Sequence, residues 1–180
     1  MSTLHRERMS FEEWEALPDK PKAEWVDGEA VWSVSPTYYG PGRGQFQLAS
    51  AFHVGLPDLK VVTEMDVVLP GNRIRIPDVS VVERPPADGR RIVEPPVIVA
   101  EVLSPSTRGQ DLVTKSHEYA AAGIGQYWLL DPDGRTLDVF ELVDGGWSPV
   151  LQLTEAAPAG SVRVSDHGVV EADLASLLDY

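Results

Sequence analysis

The feature that most constrains the fold is a short apolar run near the middle of the chain. Residues 97–103 read VIVAEVL, so every residue of the run is apolar except Glu101. Continuous apolar runs are typical of strands buried on both faces, whereas half-buried strands alternate polar and apolar residues. The run therefore predicts a central strand in a covered sheet, with one carboxylate inside it.

A carboxylate in such a strand is costly unless a positive group pairs with it. Four explanations fit Glu101. The strand lies at a sheet edge, or Glu101 pairs with an arginine, or it sits at a strand end near water, or it binds a metal ion. The residues alone leave these four explanations open.

The segments around this run predict the fold class. Helical spacing at 111–122, ended by Gly123, is followed by a second strand at 126–130, and strand, helix and strand together form a crossover unit. Turn residues also predict three hairpins, at 23–26 with 29–34, at 60–69 with 73–82, and at 136–143 with 147–153. Further elements are predicted as helices at 11–17, 44–54 and 174–178 and a strand at 162–164.

We therefore predict one α/β (α+β mixed) domain over 1–180, with a mixed, mainly antiparallel sheet, a crossover helix and flanking helices. The absence of cysteine excludes disulfides and thiolate metal sites, and no apolar run reaches the ~20 residues that span a bilayer. We expect a cytoplasmic protein without a membrane segment.

Charge limits the partners of the chain. Asp and Glu number 28 against 15 Lys and Arg, which gives a net charge of −13. This is the wrong sign for a broad basic surface that grips nucleic acid, so such a substrate requires a local basic patch or bound cations. Solubility alone is the plainer explanation for most of these carboxylates.

Asp78 is the second residue that stands out. It follows Pro77 in the segment RIRIPDVSVV, which otherwise has the pattern of a strand. Aspartate is unfavourable inside strands, so its position indicates a bulge, a strand end or a functional site. A simple turn after the proline is an equally open explanation.

Lys115 is the third such residue. It lies four residues after Asp111 and four before Tyr119, so all three share one face of the predicted helix. One interpretation is an exposed Asp111–Lys115 ion pair. The other is an ammonium directed at the carboxylates across the crossover unit.

An Asp, a Glu 23 residues later on a buried strand and a Lys on the next helix together resemble the core of the PD-(D/E)xK nucleases. The segments AEWVDGE, SP (35–36), EMDVVL, IPDVSVV, PPVIVAEVLSPST, DLVTKSHEYAAAGIGQYWLLDP and LDVFEL resemble, in the same order, the Uma-two restriction endonuclease family of that superfamily. The resemblance covers roughly 10–155.

The resemblance implies the roles of several residues. Asp78 and Glu101 would be metal-ligating carboxylates, and the backbone carbonyl of Val102 or Leu103 would add an oxygen ligand. Glu24 matches an acidic position of the family and is implied to contact the metal or its waters.

The chain also departs from the superfamily pattern. The usual lysine stands two residues after the Glu, where this chain has Leu103, and the family is thought to have moved it to the helix, which points to Lys115. Many relatives carry a histidine shortly after the Ser-Pro, where residues 37–40 here read TYYG.

The implied activity is hydrolysis of phosphodiester bonds in nucleic acid, most simply DNA, with Mg²⁺ or Mn²⁺ as cofactor and Asp78, Glu101 and Lys115 as catalytic residues. A homodimer is compatible with this activity, because duplex cleavage often uses two active sites, but no residue pattern in the chain requires one. One alternative is a non-catalytic binding or assembly module on the same fold, which the charge, the displaced lysine and the missing histidine favour. Another is a nuclease for small or single-stranded phosphodiesters.

Overall fold

The structure is a computed structural model that describes residues 5–18, 20–32, 39–87, 89–104 and 109–178. Within these residues, two six-stranded mixed sheets and one separate hairpin combine with short helices. The predicted mixed α/β class is confirmed, but its strands divide between two sheets where the sequence suggested one. The SP pair at 35–36 and the PST segment at 105–107 lie outside the described residues.

The strands are numbered in chain order. The first sheet is built from six strands: β1 (His5–Arg8), β2 (Glu24–Val26), β3 (Glu29–Trp32), β5 (Asp66–Leu69), β6 (Arg73–Arg75) and β8 (Arg91–Ile92). The second sheet has β4 (Lys60–Thr63), β7 (Val79–Val82), β9 (Ile98–Val102), β10 (Gln126–Asp131), β11 (Thr136–Val143) and β12 (Gly146–Leu153). The separate hairpin pairs β13 (Ala159–Val164) with β14 (Gly168–Asp173).

The helices are short except for one. They are α1 (Phe11–Glu15), α2 (Tyr39–Gly55), α3 (Ser116–Ala121) and α4 (Leu174–Leu177), and a π-helical turn, Gln110–Lys115, leads directly into α3. Gly123 follows α3 at a φ of 78°, as predicted for the end of this helix. No helix among the described residues is long and apolar enough to cross a membrane.

The predicted hairpin at 60–69 and 73–82 exists, but each of its arms is broken in the middle. The β4 and β7 halves pair in the second sheet, whereas the β5 and β6 halves pair in the first. Glu64, at a φ of 50°, breaks one arm, and Pro77, which has no N–H to donate, lies in the break of the other. The long strands were therefore predicted wrongly, and the hairpin passes from one sheet to the other at Asp78.

Strand β9 lies between β7 and β10, at the centre of the second sheet, and all five of its residues are buried. It runs parallel to β10, which confirms the predicted crossover unit. One face of β9 packs in an apolar core with α2 and the C-terminal hairpin, which we call the α2-side core. The other face packs in a second core that contains Tyr119 of α3, which we call the α3-side core.

Helix α2 begins five residues before the predicted start at Gly44. The residues before Gly44, which include two glycines and a proline, were not predicted as helical, but proline is tolerated in the first turn of a helix. A Cβ on Gly44 would lie 2.9 Å from Leu130 Cδ2 and 3.4 Å from Val102 Cγ1. The glycine therefore lets the start of α2 approach the ends of β9 and β10 closely.

The two ends of the chain add local structure. Ser10 and Glu13 form a capping box at the start of α1, the first of the predicted helices. Asp27 and Gly28 take positive φ values of 52° and 86° in the predicted turn between β2 and β3. Near the C-terminus the sequence predicted β13 and α4 in part but missed β14, which pairs with β13 along its whole length.

Candidate metal and phosphodiester site

The residues singled out by the sequence meet where the two sheets and α3 come together. Glu24 begins β2 of the first sheet, Asp78 lies just before β7, Glu101 is on β9, and Lys115 ends the π-helical turn. Ion pairs and hydrogen bonds link these elements, as described below. The sequence therefore predicted correctly which segments meet at this point.

Glu101 is buried and hydrogen-bonded on one carboxylate oxygen. Its Oε1 accepts a hydrogen bond from Lys115 Nζ at 3.0 Å and another from the Tyr119 hydroxyl at 2.7 Å. Glu101 is 3% exposed and Lys115 is 6% exposed, so both charges are removed from water. The strand is central, which excludes the sheet-edge explanation, and Lys115 supplies a positive partner for Glu101.

Asp78 lies beside Glu101 across the β7–β9 pair. Its Oδ2 accepts the N–H of Val102 at 2.6 Å, and Val102 directly follows Glu101. Its backbone carbonyl accepts hydrogen bonds from Gln45 Nε2 at 2.9 Å and from the Glu64 N–H at 3.2 Å. The Gln45 side chain on α2 and the Glu64 N–H on the opposite arm of the hairpin therefore fix the bend, which places the Asp78 carboxylate at the end of β9.

Glu24 reaches the site from the first sheet. Its Oε1 lies 3.3 Å from Lys115 Nζ and accepts the N–H of Ile76 at 3.2 Å. Its Oε2 accepts a hydrogen bond from Arg75 Nη1 at 2.8 Å. Lys115 thus bridges Glu24 and Glu101, one from each sheet.

Arg75 binds a second carboxylate, that of Glu118 on α3. Nε donates to Glu118 Oε2 at 2.6 Å and Nη2 donates to Oε1 at 2.8 Å, in the bidentate geometry that suits arginine and carboxylate. The Arg75 side chain is completely buried. This pair joins strand β6 to helix α3 and closes the cluster on the side of the first sheet.

The local field sets the protonation of the cluster. Burial alone would raise the pKa of Glu24, but the charges of Lys115 and Arg75 and the hydrogen bonds to its carboxylate lower that pKa below its ordinary value. For Arg75 the signs are reversed: burial alone would lower its pKa, but its partners Glu118 and Glu24 raise that pKa above its ordinary value. Glu24 is therefore an anion and Arg75 a cation at neutral pH.

Tyr119 remains protonated at neutral pH. Burial, and next the negative charge of Glu101, raise the pKa of the Tyr119 hydroxyl well above its usual range. The hydroxyl can therefore act as a hydrogen-bond donor to Glu101. The donor helps to fix the Glu101 carboxylate in one orientation.

We call this set the charged cluster. Its carboxylates are those of Glu24, Asp78, Glu101 and Glu118, and its buried cationic groups are Arg75 and Lys115. The partly exposed Arg73 lies at its margin, with Nε 3.5 Å from Glu118 Oε1. The cluster has more negative than positive groups, and its carboxylate oxygens are the type of ligand that a hard divalent cation such as Mg²⁺ prefers. As the side chains stand, however, no three His, Cys, Asp or Glu residues in the described part of the chain are grouped as metal ligands.

The sequence did not identify three members of the site. Arg75 alternates with Ile74 and Ile76, which predicts an exposed side chain, and Glu118 has no unusual context. The spacing of four between Tyr119 and Lys115 placed both on one helix face, but the sequence assigned Tyr119 no role in the site. The spacing is the one signal that could have added Tyr119 to the site.

Comparison with known proteins identifies a family that matches most of the chain. The sequence profile of the Uma2 family, described as "Putative restriction endonuclease", matches residues 9–174. No curated protein matches the chain.

A solved structure supports the fold. The crystal structure of a "putative nuclease belonging to DUF820" from Anabaena variabilis ATCC 29413 has a TM-score of 0.74 and 19% sequence identity, and the alignment covers 95% of this chain and 98% of that one. Because the identity is low, the likeness establishes a common fold. The family match over most of the chain, together with this fold, shows that the protein belongs to the Uma2 family.

Proposed function

We propose that the protein is a metal-dependent endonuclease that hydrolyses phosphodiester bonds in DNA. The observation that carries this proposal is the contact between the Asp78 carboxylate and the N–H of Val102, because it brings the two predicted acids to one point of the second sheet. Membership of a family described as "Putative restriction endonuclease" supports the same reaction class.

In this proposal Asp78, Glu101 and the carbonyl of Val102 hold Mg²⁺ or Mn²⁺, since such ions prefer oxygen ligands. When bound, the ion would polarise the phosphoryl group and lower the pKa of a coordinated water. It would also offset the net charge of −13, which by itself repels a phosphate backbone.

The remaining residues of the site would act on charge and orientation. Lys115, with its Nζ 3.0 Å from Glu101, can place a positive charge where negative charge develops on the phosphate. Tyr119 donates to Glu101 and restrains its carboxylate. Gln45 holds the carbonyl of Asp78 and so restrains the bend that carries the second acid.

The experiment that tests the proposal is cleavage of labelled duplex DNA with Mg²⁺ or Mn²⁺ and with EDTA. Asp78→Asn and Glu101→Gln should each abolish metal-dependent cleavage, whereas Glu171→Gln, at an exposed acid of β14, should cleave like the wild type. Single-stranded DNA and RNA of the same sequence determine the substrate class. Cleavage that is unchanged in both site variants would eliminate the proposal.

One observation favours a second function, that of a non-catalytic binding module. Lys115 forms ion pairs with both Glu101 and Glu24, as in a purely structural ion-pair network. In such a network, well-packed neutral replacements are often tolerated or even stabilising. If the protein is such a module, Mn²⁺ should not raise its Tm. If it is a nuclease, Mn²⁺ should raise the Tm of the wild type but not that of Glu101→Gln.

A further inference from the structure

We infer that Glu24 is a positioning residue and does not ligate the metal. Glu24 sets the placement of Lys115 and of the bend before Asp78. Arg75 and Glu118 in turn hold Glu24 in place. The inference rests on the proposed function and refines it. It assigns Glu24 a different role from the one implied by resemblance to the family.

The first step is the orientation of the Glu24 carboxylate. One oxygen faces Lys115 Nζ and the Ile76 N–H, and the other faces Arg75 Nη1. Both oxygens are therefore directed at positively charged or N–H groups. A divalent cation at this carboxylate would have to approach two cationic side chains, those of Lys115 and Arg75.

The second step is the rigidity of the support. The register of β2 and β6 pairs Trp25 with Ile74, so Glu24 and Arg75 stand next to each other at the ends of these strands. Arg75 is completely buried and uses Nε, Nη1 and Nη2 to bind Glu24 and Glu118. A planar guanidinium held at three donors by two separate elements has little freedom to turn.

The third step links this support to the reactive groups. Lys115 contacts both Glu24 and Glu101, so Glu24 can retain the ammonium at the site when Glu101 turns to a metal. The N–H that Glu24 accepts belongs to Ile76, two residues before Asp78. Glu24 thus restrains both the lysine and the acid, through Lys115 on one side and through the backbone on the other.

The test compares Glu24→Gln, Arg75→Met and Arg75→Lys with Glu101→Gln as the metal-site variant. The matched control is Arg135→Met, which removes an arginine from an exposed ion pair with Glu155. Three quantities are measured on the full chain: kcat and KM for DNA cleavage, Mn²⁺ affinity by calorimetry, and the ammonium NMR signal of Lys115, one of four lysines in the wild type.

We expect Glu24→Gln and Arg75→Met to lower kcat by about 10-fold to 100-fold, as changes behind a metal site typically do, while the KM and the Mn²⁺ affinity stay within about threefold of the wild-type values. The Lys115 signal should shift in both variants without metal. Arg75→Lys should recover part of kcat, and the control should match the wild type in all three measurements.

Two results would overturn the inference. One is a loss of Mn²⁺ affinity in Glu24→Gln as large as in Glu101→Gln, which would make Glu24 a ligand. The other is an unchanged Lys115 signal in both Glu24→Gln and Arg75→Met. If the wild type neither binds Mn²⁺ nor cleaves DNA, the proposed function fails, and the metal-free Lys115 signal still decides whether Glu24 positions the lysine.

Removing Arg75 takes one cationic partner from each of two largely buried carboxylates, Glu24 and Glu118, so Arg75→Met risks unfolding. Glu118→Gln covers that outcome, because it keeps a hydrogen-bond acceptor for Arg75 and removes one charge. It should shift the Lys115 signal in the same direction by a smaller amount. An unshifted signal in a folded Glu118→Gln protein would count against the support role of the Arg75–Glu118 pair.

Discussion

The two faces of strand β9 differ sharply in what they bury. On the α2 side, Ile98, Ala100 and Val102 pack in a continuous apolar core with α2 and the C-terminal hairpin. On the α3 side, Val99 packs in the other apolar core, but the neighbouring Glu101 enters the charged cluster. One strand therefore serves two environments that differ in polarity.

This difference separates stability from chemistry. An apolar face gains free energy simply from the area it removes from water. A buried ion-pair network gains little over well-packed apolar residues of the same volume, because desolvation of the charges offsets their attraction. The α2 face should therefore control the free energy of unfolding, and the α3 face should control activity, which leads to four predictions.

The largest effect is expected from Glu101→Gln on the charged face. Metal-dependent cleavage should fall by about 100-fold to 1000-fold, comparable with removal of a group that stabilises a transition state. The free energy of unfolding should change much less, because Gln keeps the volume of Glu and can still accept a hydrogen bond from Tyr119. Kinetics and urea titrations of the same preparation measure both. Equal losses in activity and stability would contradict the separation.

The corresponding change on the apolar face of β9 is Ile98→Ala, which should affect stability and not activity. Ile98 is fully buried, so the cavity should lower the free energy of unfolding by about 2–5 kcal/mol. The kcat per folded molecule should stay within about twofold of the wild-type value, because Ile98 is outside the charged cluster. Ile98→Val, with an expected cost of about 0.5–1.5 kcal/mol, is the graded control. A selective loss of kcat in either variant would break the comparison.

A smaller effect on the apolar face is expected from Gly44→Ala. The new Cβ would meet the buried Leu130 at 2.9 Å, so repacking should outweigh the better helix propensity of alanine and cost about 1 kcal/mol net. Gly42→Ala is the matched control on the same helix, because a Cβ there meets nothing within 4 Å. We expect that control to be stabilised by about 0.5–1 kcal/mol. Thermal unfolding of the pair measures the difference, and an equal Tm would contradict it.

The smallest effect concerns acid stability. The pKa of Glu24 is lowered, so its contribution is present above the ordinary pKa of a glutamate and is lost as the pH falls through the lowered value. Hydrogen bonds from the Ser176 N–H and hydroxyl likewise lower the pKa of Asp173, which caps α4 beside the apolar core. Urea titrations between about pH 7 and about pH 3 should show a shallower loss of stability in Glu24→Gln than in Asp173→Asn, since solvent screens the charges of Lys115 and Arg75 at Glu24 less than it screens the exposed cap at Asp173. The reverse order would contradict this ranking.

The sequence predicted the central strand and its carboxylate because both follow from a local pattern. The apolar run at 97–103 and the proline before Asp78 are visible without knowledge of the fold. Arg75 was missed because its partners, Glu24 and Glu118, are 51 and 43 residues away along the chain. Alternation within one strand indicates which side chains share a face, but not whether a second sheet or a helix covers that face.

The division of the sheets was missed for a related reason. Strand-like residues continue on both sides of Glu64 and of Pro77, so the pattern predicted two long strands. The change of sheet depends on where the two arms find pairing partners, β7 with β9 and β6 with β2. Long-range pairing of this kind leaves little trace in a local window.

The most direct measurement is a crystal structure grown with Mn²⁺, with the ion located from its anomalous scattering. The account predicts one strong peak bound by the carboxylates of Asp78 and Glu101, with Lys115 still at Glu24. A fully loaded crystal in which no peak contacts these two acids, and in which Lys115 still bridges Glu24 and Glu101, would contradict it.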